Sequence, residues 1–174
     1  MLLLSIGYFV VAITITLLIA FKKHGFSTFD PGEIEEKDVA FWKVFSSNLL
    51  LVLKVYFFGI ITVCLYALFS YLQNVISIGL VASGLLSAGY DKLAIKMIPH
   101  GFFEFWGISL AVATVTWAWG VIVYYAPSVI KRKTAWSDVG KRILNTVIVS
   151  VVLNCLLLAV AAIVEVIVSW YKVL

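Results

Sequence analysis

Long apolar stretches constrain the fold of this chain more than any other feature. They cover about residues 1–21, 44–72, 75–90, 99–126 and 144–171. A membrane-spanning helix needs roughly 20 apolar residues, so every stretch except the short third one has the length to cross a bilayer. Charged residues make up only 13% of the chain. The sequence therefore predicts an all-α polytopic membrane protein of four to five membrane helices, folded as a single membrane domain over residues 1–174.

The polar connector, residues 22–43, separates the first two apolar stretches. Asp30 precedes Pro31, and Glu33, Glu35 and Glu36 follow. Aspartate is a good N-cap, proline fits the first helical position, and acids are favoured in the first turn by the helix dipole. This pattern predicts a short interfacial helix on the membrane surface, with a solvated connector as the alternative.

The distribution of lysine and arginine bears on the topology. With the N-terminus outside, a re-entrant third stretch puts nine of these residues inside, between 22 and 43 and between 131 and 142, and three outside. Five full crossings would instead put seven inside and five outside. Because cytoplasmic loops carry an excess of lysine and arginine, the count favours the re-entrant arrangement. A short tilted span is the alternative for residues 75–90.

The tract from Ile98 to Glu104 is the strongest candidate site. Pro99 is expected to begin a helix, in which His100 and Glu104 lie four residues apart and point the same way. Ionisable groups at membrane depth usually face a protein interior or a wet cavity. Two interpretations stay open. One is a catalytic general acid–base pair, His100 with Glu104, for peptide-bond cleavage or ligation. The other is a hydrogen-bonded cluster of side chains that fixes helix packing.

Three of the predicted helices carry a stripe that mixes polar and small residues. Residues 4, 7 or 11 apart share a helix face, and such mixed faces pack closely and hydrogen-bond across membrane helices. The stripes predict a polar cavity on which Asn48, His100, Glu104 and Glu165 converge. Asn48 and Asn154 are more typical of hydrogen bonds between helices than of catalytic groups. The members are Asn48 and Gly59, with Thr62 close by, in the second stretch, His100, Glu104, Gly107 and Ala111 in the fourth, and Asn154, Ala161 and Glu165 in the last.

Several functional classes have no support in the sequence. It contains no phosphate-binding loop, no Gly-x-Ser-x-Gly and no His-Glu-x-x-His. Only two histidines are present, so a zinc site would need carboxylates to complete it. We predict no metal, no cofactor and no nucleic-acid partner.

These motifs resemble the stage II sporulation protein M family over about residues 40–170. The specific match is Pro99-His100-Gly101-Phe102-Phe103-Glu104, which fits the family signature Pro-His-Gly-x-x-Glu. Weaker matches occur in order along the chain, at Asn48, Gly59, Asn74, Gly79 and the apolar run that ends at Glu165. The chain has Ser47 where the family often has a second asparagine, and Trp106-Gly107 where the family has a proline, which predicts a straighter fourth helix.

The resemblance implies a multi-pass subunit of a complex in the bacterial cytoplasmic membrane. Sporulation members act with peptidoglycan-degrading partners during engulfment. Similar short proteins accompany circular bacteriocin clusters, beside a larger membrane protein and an ABC-type ATPase, and are linked to leader removal, cyclisation and export of the hydrophobic peptide. The compact chain favours the bacteriocin role over the scaffold role. Whether the chain is itself an enzyme stays open, with a non-catalytic role favoured.

Overall fold

Five helices account for nearly all of the chain that the structure describes. The structure is a computed structural model, and it describes residues 1–21, 41–87, 89, 91–131 and 135–170, without the side chains of residues 21, 91–97, 100 and 168–170. Each helix is long and apolar enough to cross a membrane, which confirms the predicted all-α polytopic class. The helices are α1 (Leu2–Phe21), α2 (Phe41–Ile61), α3 (Leu65–Ser87), α4 (Asp91–Ile130) and α5 (Trp136–Trp170). The predicted interfacial helix in residues 22–43 lies largely outside the described residues.

Helix α4 lies at the centre of the bundle and packs against all four other helices. Gly59 of α2 contacts Val115 of α4, and Asn48 lies beside Glu104, so these two helices run parallel. Helices α4 and α5 run antiparallel. Gly107 lies against Leu158, whereas Tyr125, farther along α4, contacts Arg142, which is nearer the start of α5. The apolar faces of all five helices thereby meet along α4.

Helix α3 runs parallel to α1. Their contacts advance together along both helices, from the rings of Tyr8 and Tyr71, 5.5 Å apart, to Ile19 against Gly79. Helix α1 also runs antiparallel to α4, since Phe9 lies against Trp106 and Met1 against Thr114. Consecutive helices therefore alternate in direction through five crossings.

The predicted re-entrant third segment is wrong. Helix α3 has 23 residues, about 35 Å at 1.5 Å per residue, which is enough to span the hydrocarbon core. It begins at Leu65, so the predicted stretch 44–72 contains both α2 and the first turns of α3, and the predicted boundary near residue 74 falls inside α3. Because consecutive helices alternate in direction, the ends of α1 and α4 lie at opposite ends of the bundle, which disagrees with the predicted placement of both basic connectors on one side of the membrane.

The break between α2 and α3 is a turn at residues 62–64. Val63 and Cys64 have φ angles of 51° and 70°, in the left-handed region that reverses the chain and that a β-branched residue rarely adopts. The Cys64 N–H donates to the Gly59 carbonyl at 2.8 Å, as in a helix C-cap of the Schellman type. The Thr62 hydroxyl accepts from the Tyr66 N–H at 2.9 Å and so caps the first turn of α3. Capping bonds therefore stabilise a break that contains neither glycine nor proline.

Both prolines of α4 lie inside the helix, which differs from the prediction. Pro99 does not begin α4, because the helix starts at Asp91, and the helix continues through Pro127 to Ile130, past the predicted end at residue 126. Membrane helices tolerate internal proline because neighbouring groups satisfy the freed carbonyls. Helix α4 is continuous across Trp106-Gly107, and α5 begins at Trp136 instead of near residue 144.

The five-crossing topology makes a prediction about accessibility. Single cysteines at Lys43, near the start of α2, and at Ala135, just before α5, should label from opposite sides of the membrane. A third cysteine at Val63 should label from the same side as the one at Ala135. The measurement is labelling by a membrane-impermeant maleimide in intact cells and in inverted vesicles, with native Cys64 and Cys155 replaced by alanine. Labelling of Lys43→Cys and Ala135→Cys from the same side would contradict the fold.

Candidate functional site

A small cavity lies between α2, α3, α4 and α5. Its volume is about 30 Å³, which is room for about two water molecules, given that one needs at least 10–15 Å³. Three of its lining side chains are polar and the others are hydrocarbon. The lining residues are Asn48, Leu51, Val52, Asn74, Ile78, Glu104, Phe105, Ile108 and Leu158.

A hydrogen bond joins α2 to α4 at this cavity. The Asn48 amide Nδ2 donates to Glu104 Oε1, and both side chains are half-buried. A hydrogen bond to a carboxylate is stronger than one to a neutral acceptor, and a low-dielectric setting strengthens it further. The pair therefore fixes the relative position of two parallel helices.

Asn74 brings the third polar side chain from α3. Its amide Nδ2 donates to the Ser70 carbonyl at 2.9 Å, one turn back on the same helix. This bond orients the side chain, which lines the cavity together with Asn48 and Glu104. Three of the polar positions singled out in the sequence thus meet in one place.

A second polar cluster lies deeper in the bundle. The Asn154 Nδ2 donates to the Tyr56 hydroxyl at 2.6 Å, and that hydroxyl lies 2.6 Å from Ser150 Oγ. Ser150 Oγ in turn lies 2.7 Å from Thr114 Oγ1, which donates to the Leu110 carbonyl at 2.7 Å. Because the amide at one end can only donate and the carbonyl at the other can only accept, the hydroxyls all donate in the same direction. Such a chain is cooperative and ties α2, α4 and α5 together.

Gly107 allows α4 to approach α5 beside this cluster. A Cβ atom at this position would lie 3.0 Å from Asn154 Oδ1, so a larger residue would push the Asn154 side chain by a few tenths of an ångström. The Asn154 side chain is fully buried, and its Oδ1 has no hydrogen-bond partner among the described residues. The close approach of α4 and α5 here therefore favours glycine.

The other candidate residues have packing positions or lie apart from the cavity. Gly59 lies against Ala67 and Val115, and Gly79 against Ile19. Gly101 is buried and Pro99 is exposed. Glu165 is half-buried and does not line the cavity; continuing the register of Gly107 with Leu158 puts it level with residue 100 on α4.

The proposed pairing of His100 with Glu104 stays a prediction. Residue 100 is helical, but its side chain is outside the described part of the structure. Within the described residues, no three histidine, cysteine or acidic side chains cluster to form a metal site.

Sequence reasoning missed three members of the second cluster. Tyr56 lies eight residues after Asn48, and Ser150 lies four residues before Asn154. Four residues keep Ser150 on the Asn154 face, whereas eight residues put Tyr56 about 80° around α2 from Asn48. Thr114 follows Gly107 by seven residues and shares its face. Extending the stripes of the fourth and last stretches would have identified Thr114 and Ser150, but not Tyr56.

Comparisons with known proteins give a consistent assignment. The family model described as Stage II sporulation protein M matches residues 1–170. No curated protein and no solved structure matches the chain. Five membrane-length helices and a family match over nearly the whole chain agree with the resemblance carried by the Pro-His-Gly-x-x-Glu tract. The chain is a multi-pass membrane protein and belongs to the stage II sporulation protein M family.

Proposed function

We propose that this protein is a non-ATPase membrane subunit of a complex that matures and exports a small hydrophobic peptide of the circular bacteriocin type. Its expected partners are a larger membrane protein, an ABC-type ATPase and the peptide, in the bacterial cytoplasmic membrane. The observation that carries the proposal is the hydrogen-bonded pair of Asn48 and Glu104 at a cavity whose other lining side chains, apart from Asn74, are hydrocarbon. Such an arrangement suits a subunit that works within the membrane beside a hydrophobic substrate.

The size of the cavity favours a non-catalytic role. At about 30 Å³ it admits a water molecule or two but no peptide segment, since ligand sites usually measure hundreds of Å³. Peptide cleavage or ligation at Glu104 would need the scissile bond within hydrogen-bond reach of that carboxylate. We therefore assign leader removal and cyclisation to a partner, with this chain organising the complex.

The connections between helices favour the export role over a scaffold for cell-wall hydrolases. Three of the four connections, residues 62–64, 88–90 and 131–135, are short, and at these three points little of the chain is available for docking a soluble enzyme. A partner is then most easily bound through the membrane helices themselves. The scaffold role, known for sporulation members, is the rival that an experiment must separate.

Isolation of the complex tests this proposal. An affinity-tagged chain, extracted in mild detergent from its native host, should bring down a larger polytopic protein and an ABC-type ATPase in fixed ratio. The control is the same isolation of a Gly59→Leu variant, whose helix packing is disrupted. Recovery of a peptidoglycan hydrolase in place of the ATPase would contradict the proposal and support the scaffold role.

A further inference from the structure

The outer surface of the α2–α3 pair carries polar groups that the bundle does not use. Lys54 of α2 and Gln73 and Ser77 of α3 are all exposed. Lys54 makes no ion pair within the described part of the chain. Charged side chains within membrane segments almost always face a protein interior or pair with another group. An outward-facing lysine on a membrane helix, with no ion pair within the described residues, therefore indicates that a group outside this bundle pairs with it.

These side chains lie on the same outer groove. The antiparallel contact of Gly59 with Ala67 puts Lys54 within a turn of Gln73. On α2, Lys54 lies about 60° around the helix from Leu51, which faces the cavity beside α3. On α3, Gln73 and Ser77 lie on the flank next to Ala67, away from the side that packs against α1. The groove thus offers one cation and one amide at a similar depth.

The lysine is poorly placed to reach the membrane surface. Lys54 lies seven residues before Ile61 and 13 after Phe41, about 10 Å and 20 Å from the two ends of α2. Side chains on a helix lean toward its N-terminus, which directs the stem of Lys54 away from the nearer end. Escape of the ammonium group to lipid headgroups is therefore disfavoured.

Among the described membrane-helix residues, a second copy of this chain does not supply the matching acid. The α2–α4 register puts Lys54 level with residue 110, and the α4–α5 register puts residue 110 level with residue 155. Glu165 is ten residues farther along α5, about 15 Å away in depth. Glu104 is already bonded to Asn48 inside the bundle.

We propose that the α2–α3 groove binds a membrane helix of a different protein, one that carries an aspartate or glutamate level with Lys54 and a hydrogen-bonding side chain level with Gln73. The carboxylate neutralises the lysine in the low-dielectric membrane, and the amide of Gln73 fixes the depth of the incoming helix. The inference rests on the proposed function only in that this chain works as a subunit of a membrane complex.

Site-specific photo-crosslinking in the native host tests this surface. A photoreactive phenylalanine analogue at Ser77 should crosslink to one protein through an apolar segment that contains an acidic residue. The matched control is the same analogue at Leu153, which is exposed on α5. Lys54→Leu should lower the Ser77 crosslink about tenfold, whereas Lys54→Arg should keep it within about twofold.

A charge exchange makes the test specific. Lys54→Glu should abolish the crosslink, and changing the acidic residue of the partner to lysine should restore it. Crosslinks to lipid, crosslinks to a second copy of this chain, or a yield unchanged in Lys54→Leu would each overturn the proposal. One further outcome is a crosslinked partner that carries the matching acid but belongs to no peptide-exporting complex. That result would support this interface and contradict the proposed function.

Discussion

We expect a Gly59→Leu variant to lose most of its folded form at temperatures that leave the wild type intact. A Cβ atom at Gly59 would lie 3.0 Å from the Ala67 Cβ and 3.1 Å from a Val115 methyl group. Both neighbours are fully buried, so neither can move aside. Overpacking of a close-packed interior costs about 1–3 kcal/mol, and leucine adds three further carbons beyond the first clash. The free energy of unfolding should therefore fall by about 3 kcal/mol or more.

Gly120→Leu is the matched control for this variant. Gly120 lies in the same membrane bundle, and nothing is within 4 Å of a Cβ atom built there. The same substitution should leave its thermal transition near that of the wild type. The measurement is thermal unfolding in detergent, followed by circular dichroism and by the monodisperse fraction in size-exclusion chromatography. Equal losses for the two variants would contradict the close approach of α2, α3 and α4.

We also expect Asn48→Asp to destabilise the bundle and Glu104→Gln to rescue it. The aspartate removes the amide donor and puts a second carboxylate against Glu104, and the two like charges repel. The lost bond to a charged group costs about 1.5–3 kcal/mol before any repulsion is counted. In the double variant the new glutamine amide on α4 can donate to the new carboxylate on α2, which restores the bond with its direction reversed.

The four proteins of this double-mutant cycle distinguish loss of the hydrogen bond between positions 48 and 104 from general destabilisation of the bundle. Glu104→Gln alone should be mild, because the glutamine oxygen still accepts from Asn48. The interaction free energy between the two positions should be about 1–3 kcal/mol. The measurement is the thermal midpoint of each protein in the same detergent. If the double variant is no more stable than Asn48→Asp alone, the hydrogen bond does not fix α2 to α4.

The membrane class could be predicted from hydropathy, but the boundary between α2 and α3 could not. Residues 44–72 are apolar almost throughout, and the turn at Thr62-Val63-Cys64 has none of the residues that normally signal a helix end. The chain reverses there through two non-glycine residues with positive φ and through capping bonds to backbone groups. Hydropathy detects neither of these features. The charge count favoured a re-entrant segment because five crossings separate the two most basic stretches, residues 22–43 and 131–142.

The sequence predicted which polar residues face inward better than it predicted which of them lie at the same level of the bundle. Helical spacing alone put Asn48 and Glu104 on inward stripes, and the structure joins them by a hydrogen bond. Spacing within one helix says nothing about the register between two helices. That register places Asn154 with Tyr56, about two turns of α2 beyond Asn48, and leaves Glu165 off the cavity lining. Contacts between helices, which depend on close packing at Gly59 and Gly107, decide these partnerships.

The mass of the secreted peptide is the most direct test of the proposed role. In the native host, deletion of this chain should abolish the circular product, which is lighter than the leaderless linear peptide by one water molecule. Complementation with the wild type should restore the circular product, and so should Glu104→Gln, because the proposed role of Glu104 is structural and not catalytic. Intact-mass spectrometry of the culture supernatant and membranes measures both. Undiminished circular peptide in the deletion strain would contradict the proposed function, and a well-folded Glu104→Gln protein that yields no product would contradict the non-catalytic role.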